Sequence, residues 1–316
     1  MRLKFLSLAF FSLPLAYIAL SPRLGRRLYR SLLFHPSPYD EDLEEDPPVV
    51  SGIKAEEYFF TTGSEYAPPE KLHAWYFKNS ASIKGENAPR PKTILLSHGN
   101  SRNLVIRLSL IQLLLSCGVS VFVYDYRGFG KSSGKPSVEG ICQDAVSAYD
   151  FLTGNETLGV PATEVVLYGE SLGGALSSWL SGRRAVEGLI LQSGFSSLKD
   201  IAARHVPFLG IYPDWLFGAE HLDSIRVVKG DHPPLLVIHG KLDQVVPYSH
   251  GELVYGAATR TKSMLTIGHA AHGDLVALAP QKMKEGIIAF LQSLPATAAT
   301  TPADSELLTD PKSVFN

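Results

Sequence analysis

The stretch Val165-Val166-Leu167-Tyr168 runs directly into Gly169-Glu170-Ser171-Leu172-Gly173, and Ala175-Leu176-Ser177-Ser178-Trp179-Leu180 follows at once. The first part is a short apolar run with the look of a buried strand, and the last has the spacing of a helix packed back onto it. A strand that becomes a helix within so few residues turns too sharply for side chains at the two glycine positions. The same turn lifts the serine hydroxyl over the sheet edge, at the N-terminus of the helix. Ser171 is therefore the expected nucleophile. With 27 glycines in the chain, Gly-x-Ser-x-Gly can arise by chance, but its position between strand and helix is what the chemistry requires.

The surrounding pattern extends this reading. Strand-like runs at Thr93–Ser97, Ser120–Tyr126, Val165–Tyr168, Gly188–Gln192, Pro234–His239 and Ser263–Ile267 alternate with helix-like stretches, which implies a mostly parallel sheet with helices on both faces. Two earlier runs, Glu57–Thr61 and Leu72–Lys78, predict an antiparallel hairpin at the sheet edge. At 316 residues the chain can bury one large α/β core, expected over residues 55–295. A formal net charge of -2 provides no general attraction to nucleic acid, and no nucleic-acid partner is expected. Cys117 and Cys142 fall in or beside predicted helices without a second ligand at metal spacing, so neither a metal nor a cofactor is called for.

A serine hydroxyl needs a base, and the base needs a group to orient it. The run Leu235-Leu236-Val237-Ile238-His239 leads into Gly240-Lys241-Leu242-Asp243, placing Asp243 just beyond a strand at the same sheet edge as Ser171. After the last strand comes Gly268-His269-Ala270-Ala271-His272-Gly273-Asp274. His272 is the expected base, because it lies within the loop, whereas His269 is almost still on the strand. The two backbone amides of an oxyanion hole are expected from Leu172, which follows the nucleophile, and from Asn100 in the loop Ser97-His98-Gly99-Asn100-Ser101-Arg102. Gly128-Phe129-Gly130-Lys131-Ser132 looks like a phosphate loop, but Asp125 stands where that motif needs its first glycine. It reads as a tight strand-to-helix connection.

The ends of the chain differ in character. Residues 5–22 carry no charge and are flanked by Arg2, Lys4, Arg23, Arg26, Arg27 and Arg30. These 18 residues lie near the roughly 17 to 25 that a spanning helix needs, so residues 1–30 are read as a membrane anchor with a basic flank. A cleaved signal peptide is the rival reading. Arginines after the stretch favour a cytosolic catalytic domain, while the sequon Asn155-Glu156-Thr157 would be usable only in a lumen. Residues 31–54, with Asp40-Glu41-Asp42 and Glu44-Glu45-Asp46-Pro47-Pro48, read as an acidic linker, and residues 296–316 as a disordered tail.

Taken together, His98-Gly99-Asn100, Asp125 to Ser132, Gly134-Lys135-Pro136-Ser137, Gly140, Asp144, Gly169 to Gly174 and Asp243 resemble the membrane-anchored α/β-hydrolase-domain proteins. That group includes fungal bud-emergence hydrolases, animal lysophosphatidylserine lipases and protein depalmitoylases. The resemblance spans roughly residues 70–294 and implies the α/β-hydrolase fold. It departs at Val138, where relatives usually carry an acidic residue. It also departs from the depalmitoylases in having no cysteine before Cys117.

Phe195 to Asp223, with the apolar Val206-Pro207-Phe208-Leu209-Gly210-Ile211-Tyr212, is expected either to form a small cap over Ser171 or to pack as a core helix pair. The function these features imply is a serine esterase, lipase or thioesterase at a membrane, in the endoplasmic reticulum or another endomembrane. It would act on a lipid-like or acylated substrate, and no protein partner can be named. The alternative is a hydrolase-fold scaffold or signalling protein whose catalysis is dispensable.

Overall fold

The computed structural model describes residues 17–39, 46–79, 92–154, 156–217 and 222–294. Eight strands form one sheet, numbered here in chain order: β1 Glu56–Thr61, β2 Lys71–Phe77, β3 Thr93–Ser97, β4 Ser120–Tyr124, β5 Val165–Glu170, β6 Gly188–Gln192, β7 Leu235–Gly240 and β8 Lys262–Ile267. Their spatial order is β8-β7-β6-β5-β3-β4-β2-β1. β1 pairs antiparallel with β2, and β2 antiparallel with β4, while the remaining neighbours are parallel. The edge hairpin and the parallel sheet both stand where the sequence placed them. β4 stops at Tyr124 rather than Tyr126, because the chain turns away through Gly128 and Gly130, both at positive φ.

The helices are α1 Arg26–Leu33, α2 Leu108–Ser116, α3 Val138–Thr153, α4 Leu172–Ser181, α5 Leu198–His205, α6 Ser224–Lys229, α7 Tyr248–Ala257, α8 Leu275–Leu278 and α9 Pro280–Ser293. They cover both faces of the sheet, and the period of two along each strand divides its apolar residues between two cores. In β3, Leu95 joins the core that holds Ile141 of α3 and Leu176 of α4. Its neighbours Ile94 and Leu96 join the core that holds Ile111 of α2 and Met283 of α9. β5 does the same, with Leu167 on one side and Val166 and Tyr168 on the other. A strand buried on both faces has no room for polar residues, which is why these runs read as continuously apolar.

The connection after β4 is the tight turn expected, and it has no space for a phosphate. A side chain on Gly130 would come within 2.0 Å of the Asp125 carboxylate. Arg127 is held by Asp144 of α3 through its backbone N–H at 2.8 Å and its guanidinium at 2.9 and 2.7 Å. A Cβ on Gly140 would strike Arg127 Cδ at 2.5 Å. The Asp125-Tyr126-Arg127-Gly128-Phe129-Gly130 stretch, Gly140 and Asp144 thus pack around one buried ion pair.

The N-terminal part departs from a solvated linker wherever it is described. Phe34 is buried in the first core. His35–Pro36 pair in parallel with Ser101–Arg102, and Val49–Val50 form a short hairpin with Ile53–Lys54, in which Val50 is buried. Acidic composition suggested a spacer, but Phe34 and Val50 remove enough apolar surface from water to bind their flanks to the domain. Residues 40–45, the core of the acidic run, lie outside the described residues, as do Asn155, residues 5–16 of the uncharged stretch and the tail from residue 295. Among the described residues no helix is long and apolar enough to cross a membrane.

Candidate active site

β5 delivers the chain into the turn and α4 takes it away. Ser171 sits between them at φ 54°, ψ -114°, in a region a serine occupies only when its surroundings hold it there. Its N–H bonds to Gln192 O at 2.8 Å and its carbonyl accepts from Gly174 N at 2.9 Å. The two flanking glycines are obligatory for a steric reason. A Cβ on Gly169 would lie 2.1 Å from Gly173 O, and one on Gly173 would lie 2.0 Å from Ser97 O, backbone atoms that cannot step aside.

His272 and Asp243 arrive from the loops after β8 and β7. His272 Nε2 is 3.0 Å from Ser171 Oγ, and its Nδ1 is 2.7 Å from Asp243 Oδ2. A carboxylate accepts, so Nδ1 carries the proton and Nε2 faces the serine hydroxyl as an acceptor. Asp243 is itself fixed, since its other oxygen, Oδ1, accepts from the backbone N–H groups of Val245 at 2.9 Å and Val246 at 2.8 Å. Burial pushes its carboxyl up, but hydrogen bonds from His239 and His272, the His272 charge and the Val246 N–H together outweigh that and hold it well below the usual carboxylate range. His269, three residues before His272, is exposed, with Nε2 3.4 Å from Leu278 O. The two histidines therefore do not share a ligand, and among the described residues no cluster fit to hold a metal occurs.

The loop expected to supply the second oxyanion donor lies against the elbow. A Cβ on Gly99 would sit 3.7 Å from Ser171 Cβ, so the backbone of this loop passes directly beside Ser171. The Asn100 side-chain amide bonds to Leu33 O at 2.8 Å, and its carbonyl accepts from His35 N at 2.8 Å. The side-chain amide is thus turned towards Leu33, and the Asn100 backbone N–H is the donor expected for an oxyanion. Leu172 is the first residue of α4, and its N–H has no acceptor within the helix.

Two residues went unmarked in the sequence. His239, at the end of β7, is fully buried, donates from Nε2 to Val246 O at 2.8 Å and stands 3.3 Å from Asp243 Oδ2. A histidine closing a buried strand four residues before the acid was the available signal. Arg107 joins the elbow to the oxyanion loop, with Nη1 3.0 Å from Glu170 Oε1 and Nη2 donating to Ser101 O at 3.4 Å. Nothing local in the sequence links an arginine to a glutamate 63 positions away.

Residues 88–222 match the family model described as serine aminopeptidase, S33. The uncharacterized protein Rv2307c of Mycobacterium tuberculosis is 33% identical over 221 residues, covering 70% of this chain and 75% of its own. The α/β-hydrolase domain-containing protein WAV2 of Arabidopsis thaliana is 31% identical over 215 residues, 62% of this chain and 65% of WAV2. Among solved structures, the esterase Pf2001 of Pyrococcus furiosus superposes with a TM-score of 0.63 at 20% identity, covering 82% of this chain and 99% of the esterase. That last likeness is one of fold.

Proposed function

The chain belongs to the α/β-hydrolase family, and from that premise we propose that it is a membrane-anchored serine hydrolase cleaving a carboxylic ester or thioester of a lipid-like substrate. The observation that carries the proposal is the hydrogen-bonded line from Ser171 Oγ through His272 to Asp243, at 3.0 and 2.7 Å. Along that line Ser171 Oγ attacks the acyl carbon and gives its proton to His272 Nε2. The Asp243 carboxylate holds the imidazole in place and stabilises the charge it acquires. Negative charge on the former carbonyl oxygen meets the N–H groups of Leu172 and Asn100. His272 then returns the proton to the leaving alcohol or thiol, and a water molecule, deprotonated by the same nitrogen, releases the acid from Ser171.

The lipid-like substrate is supported by Leu242 and Val245, exposed on either side of Asp243, and by the uncharged stretch at residues 5–22. The bud-emergence type of relative and an endomembrane location belong to the same proposal, and glycosidase sensitivity at Asn155 would report a lumenal domain. The substrate class is tested by turnover of esters and thioesters of graded acyl length, with an aminoacyl amide included because the matching family model bears a peptidase's name. We expect ester or thioester turnover that rises with acyl length and is lost in Ser171→Ala. Turnover of the amide alone would overturn the substrate assignment, and no turnover of any of them would favour the scaffold alternative.

A further inference from the structure

The segment Ser197 to Phe217 carries α5 and two short 3-10 turns, Pro207–Ile211 and Asp214–Phe217. Its apolar residues divide into two sets. Leu209, Tyr212 and Phe217 turn inward and pack with Tyr29 of α1, Val206 and Leu216. Their immediate neighbours do the opposite: Phe208, Ile211 and Trp215 are 45%, 63% and 67% exposed. Folding has thus already satisfied this unit's internal core, and three large apolar side chains remain in water within eight residues. Scattered apolar residues on a surface are ordinary, but a cluster of this kind marks an interaction site.

The same surface continues in both directions. On one side the Tyr212 hydroxyl donates to Tyr17 O at 2.9 Å, and the two tyrosine rings lie 4.6 Å apart. Tyr17, Ile18 and Leu20 are themselves 41%, 53% and 44% exposed. On the other side His205, at the end of α5, donates from Nε2 to Val245 O at 3.0 Å. Val245 is 47% exposed and lies two residues beyond Asp243. One run of exposed apolar groups therefore leads from the N-terminal segment, across the cap formed by Ser197–Phe217, to the loop that holds Asp243.

We propose that this face of the cap docks on a lipid bilayer, with Trp215 and Ile211 entering the headgroup region, so that the catalytic loops open towards the membrane. The proposal rests on the anchored reading and sharpens it. The occupant follows from where the chain leaves the described structure. Tyr17 is bound to the cap, and the residues just upstream, 5–16, carry no charge. Those residues alone, even as one helix, would rise only about 18 Å at roughly 1.5 Å each, against a hydrocarbon core about 30 Å thick. No spacer then separates membrane from cap, because the acidic run at residues 40–46 comes later in the chain. Tyrosine and tryptophan suit the interface, where an apolar ring and a polar edge are both accommodated. Arg23, exposed beside Leu24, adds attraction to anionic headgroups.

The chain provides its own reporter. Its tryptophans are Trp75, Trp179 and Trp215, and the first two are 0% and 1% exposed. The full-length protein is reconstituted into vesicles of phosphatidylcholine and phosphatidylserine, with and without acyl chains brominated near the headgroup, and the emission lost in Trp215→Phe is assigned to Trp215. We expect the protein to float with the vesicles and brominated lipid to remove most of the Trp215 emission. Flotation with Trp215 open to aqueous iodide and untouched by brominated lipid would overturn the docking and leave the anchor standing. Shielding of Trp215 from both quenchers would overturn it in favour of cover by residues 5–16. Failure to float would overturn anchor and docking together.

Discussion

His269 and His272 share one loop, and three residues of backbone decide that only one of them meets Ser171 and Asp243. His272→Ala should therefore lose about as much activity as Ser171→Ala, roughly 10⁴-fold or more in kcat, because members of such a unit are not additive. His269→Ala should lose little, and the reverse ranking would show the base to be wrongly assigned. Asp243 adds a pH signature. Its folded carboxyl is held below the unfolded value of about 3.9, so its contribution to stability is present above that value and is lost as pH falls through the folded one. Thermal midpoints followed downwards from about pH 6 should fall less steeply in Asp243→Asn than in the wild type below about pH 4. The sequence disclosed these three residues because each follows a recognisable strand at the same sheet edge. It concealed His239 and Arg107, whose partners are brought close only by the assembled sheet and by the loop after β3.

The elbow and the oxyanion loop act as joined elements. Gly173→Ala would drive a methyl group into Ser97 O, an overpacking cost of about 3 kcal/mol or less if the backbone shifts, and such a shift moves the oxyanion loop relative to Ser171. The variant should fold with a lowered thermal midpoint and lose most of its kcat; wild-type kcat would show that the contact is not tight. Arg107→Ala should slow kcat about tenfold with KM little changed, since it frees the loop from Glu170 without touching substrate. A rise in KM alone would contradict that role. The legibility of elements follows the same physics. Strands buried on both faces announce themselves as apolar runs, and the two edge strands β1 and β8, only partly buried, still carry enough β-branched and aromatic residues to be visible. The N-terminal segment was not, because one Phe34 or Val50 in a polar, proline-rich context is enough to pin a short stretch and too little to form a pattern.

Across the whole molecule, the proposed anchor and the Ser171–His272–Asp243 line lie in different parts of the chain, and Tyr17, within the uncharged stretch, is hydrogen-bonded to Tyr212. Deletion of residues 1–16 leaves every described contact of Tyr17, Tyr29 and Phe34 in place. It should release an active protein from membranes that retain the full-length chain through alkaline carbonate extraction. Deletion to residue 39 would remove Leu33 and His35 from Asn100 and should cost activity as well. Equal activity of the two truncated forms would show that the N-terminal segment does not brace the oxyanion loop. The central claim, a serine nucleophile activated by this triad, is tested most directly by treating the purified protein with a fluorophosphonate probe and locating the adduct by peptide mass spectrometry. One phosphonylated residue, Ser171, is expected, with labelling abolished in Ser171→Ala and strongly slowed in His272→Ala. An unlabelled wild-type protein, or an adduct on another residue, would contradict the claim.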